Sequence, residues 1–270
     1  MLLGASYIGH PALPAWSSYV LWPVYWFLMG VMFTAIWIIA HECGHGAFSD
    51  YKLLNDVLGW ILHSSLLVPF FSWKYSHRNH HANTGSSEND EAFVPFRKST
   101  HKASEMIEET PIYSLWNLIL MLTMGWLPGY LVMNMGGPPK YWGAKSRTHF
   151  NPNSILFKPQ EYWGVVMSDI GMIIVLGLVG WGISVYGFCA FFNYYFVPYI
   201  IVHANLVTFT YLHHTDVYMP HFDDNEWSWL RGALSTIDRS WGPFFDHYFH
   251  HITDTHVAHH LFSYMPFYHA

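Results

Sequence analysis

The chain has 270 residues, of which 52% are hydrophobic, 19% aromatic and only 11% charged. A charged fraction far under the roughly 25% of soluble domains, with a mean hydropathy of +0.15, points to a membrane protein with a sizeable polar portion. The formal net charge of -6 argues against nucleic-acid binding, and the two distant cysteines, Cys43 and Cys189, offer no disulfide framework.

Residues 1–18 hold Pro11 and Pro14, lack the basic start of a cleavable signal, and read as a loop or the end of a helix. Both ends of the chain are abrupt, so a fragment is expected, lacking an N-terminal portion and some C-terminal residues. Residues 19–40 contain no charge. As a helix they reach about 33 Å at ~1.5 Å per residue, enough to span a hydrocarbon core. Trp22, Tyr25 and Trp26 suit an interfacial belt at its start. Residues 57–71 form a second apolar stretch, too short to cross, with His63 and Pro69 inside it; an interfacial or re-entrant segment is expected. Residues 114–135 are apolar again, but Gly125, Pro128 and Gly129 are expected to break the run. Residues 136–163 read as a loop. Residues 164–187 and 190–212 read as a transmembrane hairpin, with Pro198 expected to kink its second arm. Residues 213–270 are polar and aromatic.

Three histidine clusters stand out from this background: His41-Glu42-Cys43-Gly44-His45, His77-Arg78-Asn79-His80-His81 and His256-Val257-Ala258-His259-His260. The last two read H-x-x-H-H. On a helix, positions i, i+3 and i+4 share one face, so each triplet aims its imidazoles in one direction. His41 and His45 do the same. A lone histidine is usually structural, but this repetition beside long apolar segments predicts a metal site, for which imidazole is a ligand suited to Fe, Zn, Cu and Ni. The first cluster also matches H-E-x-x-H, in which a zinc protease would use Glu42 as general base. That reading needs one more ligand and leaves two triplets unexplained. Eight imidazoles exceed the needs of one ion, and two irons fit the count best. The soluble carboxylate di-iron bundle uses two E-x-x-H patterns, and the single one here, Glu42 to His45, argues against it. The chemistry such a site suits is O2 activation beside a membrane, giving an oxidant able to take hydrogen from an unactivated carbon.

Charge placement bears on topology. All twelve basic residues lie between Lys52 and Lys102, between Lys140 and Lys158, or at Arg231 and Arg239. The positive-inside tendency puts these stretches on the cytosolic side. Residues 19–40, 164–187 and 190–212 then cross, while 57–71 and 114–135 lie along the interface. A cytosolic cap of 41–113, 136–163 and 213–270 gathers every histidine cluster on one side. The expected class is all-α: one integral membrane domain over 1–270 whose helical cap carries a histidine-rich di-iron site.

These boxes resemble those of membrane fatty-acid desaturases, and more narrowly the endoplasmic-reticulum delta-12 (omega-6) oleate desaturases of the plant and algal type. The stretches that carry the resemblance are HECGHGAFS at 41–49, HSSLLVPFFSWKYSHRNHHANTGS at 63–86, TYLHHT at 210–215 and ITDTHVAHHLFSYMP at 252–266. The resemblance implies an acyl-lipid or acyl-CoA substrate in a tunnel, O2 as co-substrate, two Fe ions, electrons from NADH through cytochrome b5 and its reductase, and a multi-pass protein of the endoplasmic reticulum membrane. It also implies a further transmembrane segment before residue 19 and a C-terminal tail. Its implied ligands are His41, His45, His77, His80, His81, His256, His259 and His260, with a ninth histidine after the last span. His213 and His214 compete for that role, and His214 is favoured because it precedes Thr215. Some relatives place an Asn where this chain has Thr210, which puts a metal-water contact there in doubt. His250 and Asp254 are weaker candidates for orienting ligands.

The remaining histidines are read as incidental: His10, His101, His149 and His221 at solvent or the interface, His63 and His203 as structural groups. Lys74, Arg78, Arg97, Lys98 and Lys102 are candidates for docking an acidic redox partner, and Glu105, Glu108 and Glu109 for a solvated helix face. A hydroxylase, epoxygenase or acetylenase would share every ligand. An omega-3 desaturase fits HECGH and HVAHH less well. A non-enzymatic metal carrier is the remote alternative.

Overall fold

The computed structural model describes residues 2–95 and 110–270. The acidic run Glu105, Glu108 and Glu109, with His101, Arg97, Lys98 and Lys102, lies outside the described residues. Among the described residues the regular elements are helical, apart from one isolated bridge between Ser86 and Phe222. The all-α class read from the sequence is therefore the observed one.

Helix α1, Ser17–His45, carries the uncharged stretch and the first histidine cluster without a break. It stops at Gly46, whose φ of 76° suits a residue without Cβ. Helices α2, Lys52–Ser65, and α3, Phe70–Asn83, meet at a bend of 106°. The apolar stretch 57–71 is thus split at Leu66–Pro69. Helix α2 is apolar on its outer side: Leu54, Val57 and Ile61 are exposed while Asn55, Gly59 and His63 are buried. In water that polarity would be inverted; against lipid it is the expected one.

Helix α4, Pro111–Met124, starts where Thr110 accepts the Tyr113 N–H. The run does not break at Gly125, Pro128 and Gly129. It continues as a π-helix over Gly125–Val132. The Met133 N–H reaches back five residues to the Pro128 carbonyl at 3.1 Å. Pro128 has no N–H to satisfy, and the wider turn accommodates its ring. Helix α5, Tyr162–Tyr186, turns at Gly187 with φ 81°. A short helix Phe188–Phe191 and a π-turn Phe192–Phe196 lead into α6, Val197–His214. Pro198 falls in the first turn of α6 and not in mid-helix, so the widening before it replaces the expected kink. Three short helices follow: α7 Trp229–Ala233, α8 Pro243–Tyr248 and α9 His256–Leu261.

Helix α1 packs against α2 and α6, α4 against α6, and α5 against α2 and α3. The core centres on Trp37, Trp73 and Trp126, whose rings meet edge to face with Trp37 5.3 Å from Trp73 and 5.6 Å from Trp126. Among the described residues, four helical runs are long and apolar enough to cross a membrane: Ser17–His45, Pro111–Val132, Pro159–Tyr186 and Phe188–His214. On α5, Ile173, Leu176, Leu178 and Trp181 are all more than half exposed, a surface suited to lipid and not to water.

The α1–α6 crossing depends on a small residue. A Cβ on Gly30 would stand 2.4 Å from Ile201 Cγ2, whereas one on Gly177 would meet nothing within 4 Å. Gly30→Val is expected to destabilise the fold by about 2 kcal/mol through overpacking, with Gly177→Val near neutral, as thermal unfolding in detergent would report.

Candidate metal centre

Nine histidines converge from the ends of four helices. His45 is the last residue of α1 and His214 the last of α6; His77, His80 and His81 close α3, and His256, His259 and His260 lie on α9. They form two adjoining groups. In the first, ring nitrogens of His41, His45, His77, His81 and His259 all lie within 4.8 Å of one another. His80, His214 and His260 form the second on the same criterion. The His256 Nε2 lies 3.1 Å from His214 Nε2 and joins it. The groups touch where the rings of His81 and His260 stack at 4.2 Å. All nine residues that the sequence nominated are brought together.

The donor set fits metal ions. Within the first group, successive Nε2 atoms are 3.3 Å apart from His45 to His41, 3.0 Å from His41 to His77, 3.2 Å from His77 to His81 and 3.2 Å from His81 to His259. Donors about 2.1 Å from a shared ion stand roughly 3.0–3.4 Å from each other, depending on its geometry. Several rings are locked with a bare Nε2 facing inward. The His80 Nδ1 lies 2.6 Å from Asp90 Oδ1, and the His41 Nδ1 3.1 Å from Glu42 Oε1; a carboxylate accepts, so each Nδ1 carries the proton. At His260 the partner is Thr84, whose hydroxyl already donates to the His80 carbonyl at 2.7 Å. The Thr84 oxygen, 3.2 Å from His260 Nδ1, must accept there. The His260 Nε2 is left buried with no hydrogen-bond partner, as a lone pair awaiting a cation would be. The Ser263 Oγ lies 3.1 Å from His81 Nδ1.

Burial lowers the pKa of His259 to about 3, and burial with neighbouring imidazoles takes His256 and His260 well below the ordinary range. These rings are therefore neutral at physiological pH, the form in which imidazole ligates.

The pair left open in the sequence is separated by what each ring faces. The His213 Nε2 points 3.1 Å from the Thr253 carbonyl and so carries a proton, while His214 faces His80, His256 and His260. Of the weaker candidates, Asp254 meets His251 Nδ1 at 3.0 Å and not a box imidazole, because the turn through His250 and His251, both at positive φ, directs it outward. The His250 ring sits against Phe267, outside both groups. The Thr210 hydroxyl donates to the Leu206 carbonyl at 2.8 Å, and its side chain lines the cavity described below. The orienting groups that the structure supplies, Asp90, Thr84 and Ser263, were not singled out in the sequence. Asp90 is itself held by N–H groups of Gly85 and Ala92, a fixation that only the folded turn 85–92 creates. Glu42 stands behind His41 and does not face the centre as a protease base would, and both triplets surround His41 and His45. His149, expected at the surface, is completely buried against Ser76 and the Leu131 carbonyl.

Two cavities reach the centre from different sides. One of about 530 Å³ runs from His80, His214 and His256 past Trp126 and Tyr130 to Leu120 and Met124, with an almost wholly apolar wall. The other, of about 870 Å³, meets His45, His77 and His81 beneath Lys52, Lys74 and Arg78. Lys52 and Lys74 share Asp56 at 2.7 and 2.6 Å, and Arg78 pairs with Glu161.

Comparison with known proteins matches residues 20–270 to the family model for fatty acid desaturase. The chain is 49% identical to an endoplasmic-reticulum omega-6 fatty acid desaturase of Brassica juncea, over 96% of this chain and 67% of that protein. It is also 49% identical to a delta(12)-fatty-acid desaturase of Arabidopsis thaliana, over 96% and 66% respectively. A delta(12) fatty acid dehydrogenase of Crepis alpina shares 46% identity over 96% of this chain and 68% of that protein. The chain thus spans about two thirds of the length of these relatives.

Next to Asp90, Glu91 is buried and its pKa is raised to about 7, mainly by burial, with Tyr141 donating to it at 2.8 Å. The folded state therefore binds this proton more tightly than the unfolded chain. The stabilising contribution is complete below about pH 4.5 and is lost as pH rises towards 7. Glu91→Gln is expected to gain in melting temperature relative to wild type as the pH is raised from 5 to 8, in paired thermal unfolding scans.

Proposed function

The chain belongs to the fatty acid desaturase family, and from that premise we propose that it inserts a cis double bond at the delta-12 position of an oleoyl chain. The observation that carries this reading is the apolar cavity that ends on His80, His214 and His256. A saturated hydrocarbon segment offers no polar handle, so it must be held by shape and by apolar walls. The Arabidopsis thaliana relative is a delta(12)-fatty-acid desaturase and the Brassica juncea relative an omega-6 fatty acid desaturase, which supports this position.

The nine converging histidines would hold two irons, His41, His45, His77, His81 and His259 around one and His80, His214, His256 and His260 around the other. Once bound, the irons supply O2 activation and the oxidising power for C–H cleavage. The chain's residues do the rest. Asp90, Glu42 and Thr84 fix the Nδ1 protons of their partner rings, so each Nε2 stays available. Trp37, Trp73 and Trp126 pack around the cavity and keep water from it. Loss of two hydrogens from the chain and reduction of O2 to two waters require two further electrons and two protons. We assign the electrons to cytochrome b5, drawing on NADH. Its acidic surface suits the second opening, where Lys52 is exposed and Arg78 half exposed. Lys74 is largely covered by its pairing with Asp56 and contributes less than the sequence suggested.

Helices α1 and α6 both end at the histidine centre, and α5 leads away from it. This arrangement supports placing the centre and the three basic stretches on the cytosolic side of the endoplasmic reticulum membrane, with 19–40, 164–187 and 190–212 crossing. Residues 57–71 and 114–135 are then assigned to the interface, although Pro111–Val132 has the length and composition of a span.

Expression of the full-length protein in yeast should yield a new diene in fatty-acid methyl esters. His80→Ala and His214→Ala should abolish it and lower iron content by elemental analysis, while His213→Ala keeps most of its iron. Desaturation surviving in His80→Ala would defeat the assignment. The native Cys189 is exposed at the α5–α6 turn. In sealed microsomes it should react with an impermeant maleimide only after the membrane is opened, and labelling of intact vesicles would reverse the topology.

A further inference from the structure

His149 belongs to neither histidine group, yet it is completely buried and lies 73 and 18 positions from its partners, Ser76 and Leu131. Burial lowers its pKa to about 4, so the ring is neutral. Its backbone N–H donates to the Leu131 carbonyl at 2.8 Å, and its Nδ1 lies 3.1 Å from that carbonyl oxygen. A carbonyl only accepts, so Nδ1 carries the ring proton and Nε2 presents a lone pair. Facing that lone pair at 2.9 Å is Ser76 Oγ, which must donate. The Trp73 carbonyl, 3.0 Å from the same hydroxyl, competes for its single proton. Donation there would leave oxygen and nitrogen lone pairs opposed in a dry interior, so His149 is the favoured acceptor. The Ser76 oxygen is then free to accept from Tyr130 Oη at 3.1 Å.

The result is a directional circuit from Tyr130 to Ser76 to His149 to the carbonyl of Leu131, the residue after Tyr130. Both of its anchors matter to the centre. Ser76 immediately precedes His77 on α3, and Tyr130 stands in the wall of the apolar cavity with its ring stacked on Trp126 at 5.4 Å. The Tyr130 segment is the π-helix, where backbone hydrogen bonding is least regular and a side-chain clamp has most to hold.

We propose that His149 is a positioning residue that sets which carbon of the acyl chain meets the metal centre, by tying Tyr130 in the cavity wall to the helix that bears His77, His80 and His81. This rests on the desaturase reading above. A wall free to slide along the chain axis by part of a C–C bond length would let neighbouring C–H groups compete, while a clamped wall favours one pair.

Two measurements test it. In yeast expressing the full-length protein, Tyr130→Phe and His149→Gln should each raise the fraction of double bonds at neighbouring positions about three- to tenfold, the change that one buried hydrogen bond supplies. Because the readout is a ratio among products, it does not depend on expression level. In thermal unfolding of the purified protein, the two substitutions should be non-additive, while His149→Gln combined with the distant Gly177→Ala should be additive. An unchanged isomer ratio in both variants, with the wild type forming its diene, overturns the inference alone. Strict additivity of Tyr130→Phe with His149→Gln also overturns it. A wild-type protein that makes no double bond overturns the functional reading and this inference with it.

Discussion

The structure depends on nine imidazoles that converge in two adjoining groups, three of them with a bare nitrogen turned inward. A neutral ring has one proton and two nitrogens, so an inward lone pair requires the proton to be held on the outer side. Asp90, Glu42 and Thr84 do this for His80, His41 and His260. A cation at the focus would be a shared partner for Nε2 atoms 3.0–3.3 Å apart and would satisfy the buried His260 Nε2. The cap would therefore gain stability from a cation bound in its middle. The cluster belongs to the energetics of the fold as much as to its chemistry.

The apolar helices supply what the cluster cannot. Two of them, α1 and α6, end at the centre and fix its footing. The layer of Trp37, Trp73 and Trp126 lies directly below, with Trp37 stacked on His41 at 5.6 Å and Trp73 on His77 at 4.5 Å. These large flat rings leave little room for water between the apolar helices and the imidazoles. They also border the apolar cavity, so the same side chains support the histidines and shape that space.

Much of this was legible in the sequence because it follows from short-range periodicity. The i, i+3, i+4 spacing of His77, His80 and His81 requires only a helix to give one face, and charge-free runs announce apolar helices. What was not legible depends on the tertiary turn. Asp90 lies among polar residues with nothing to mark it; it matters because the folded turn carries it back to His80. The π-helix at Gly125–Val132 was read as a break, since Gly and Pro signal interruption locally and the widened turn is selected by packing against α6. His149 was read as a surface residue because its loop is polar, and its partners, Ser76 and Leu131, lie 73 and 18 positions away. Asp254 went the other way: its spacing from the last box looked useful, but left-handed backbone at His250 and His251 turns it to His251.

The inverted polarity of α2 has a consequence for how the chain is made. Its Leu54, Val57 and Ile61 face outward and its Asn55 and His63 inward, so the helix has no settled place until α1 and α5 flank it. Helix α5 begins at Tyr162, about a hundred positions later. On a ribosome that releases the protein from its N-terminus, the first two histidine clusters emerge before the wall that seats them, and the third emerges only after α6. The nascent chain must hold an unfinished, histidine-lined mouth open at the membrane surface until that third cluster is made. Closure waits for the stretch that follows α6, which makes assembly of the centre a checkpoint on synthesis of the segment bearing His256, His259 and His260.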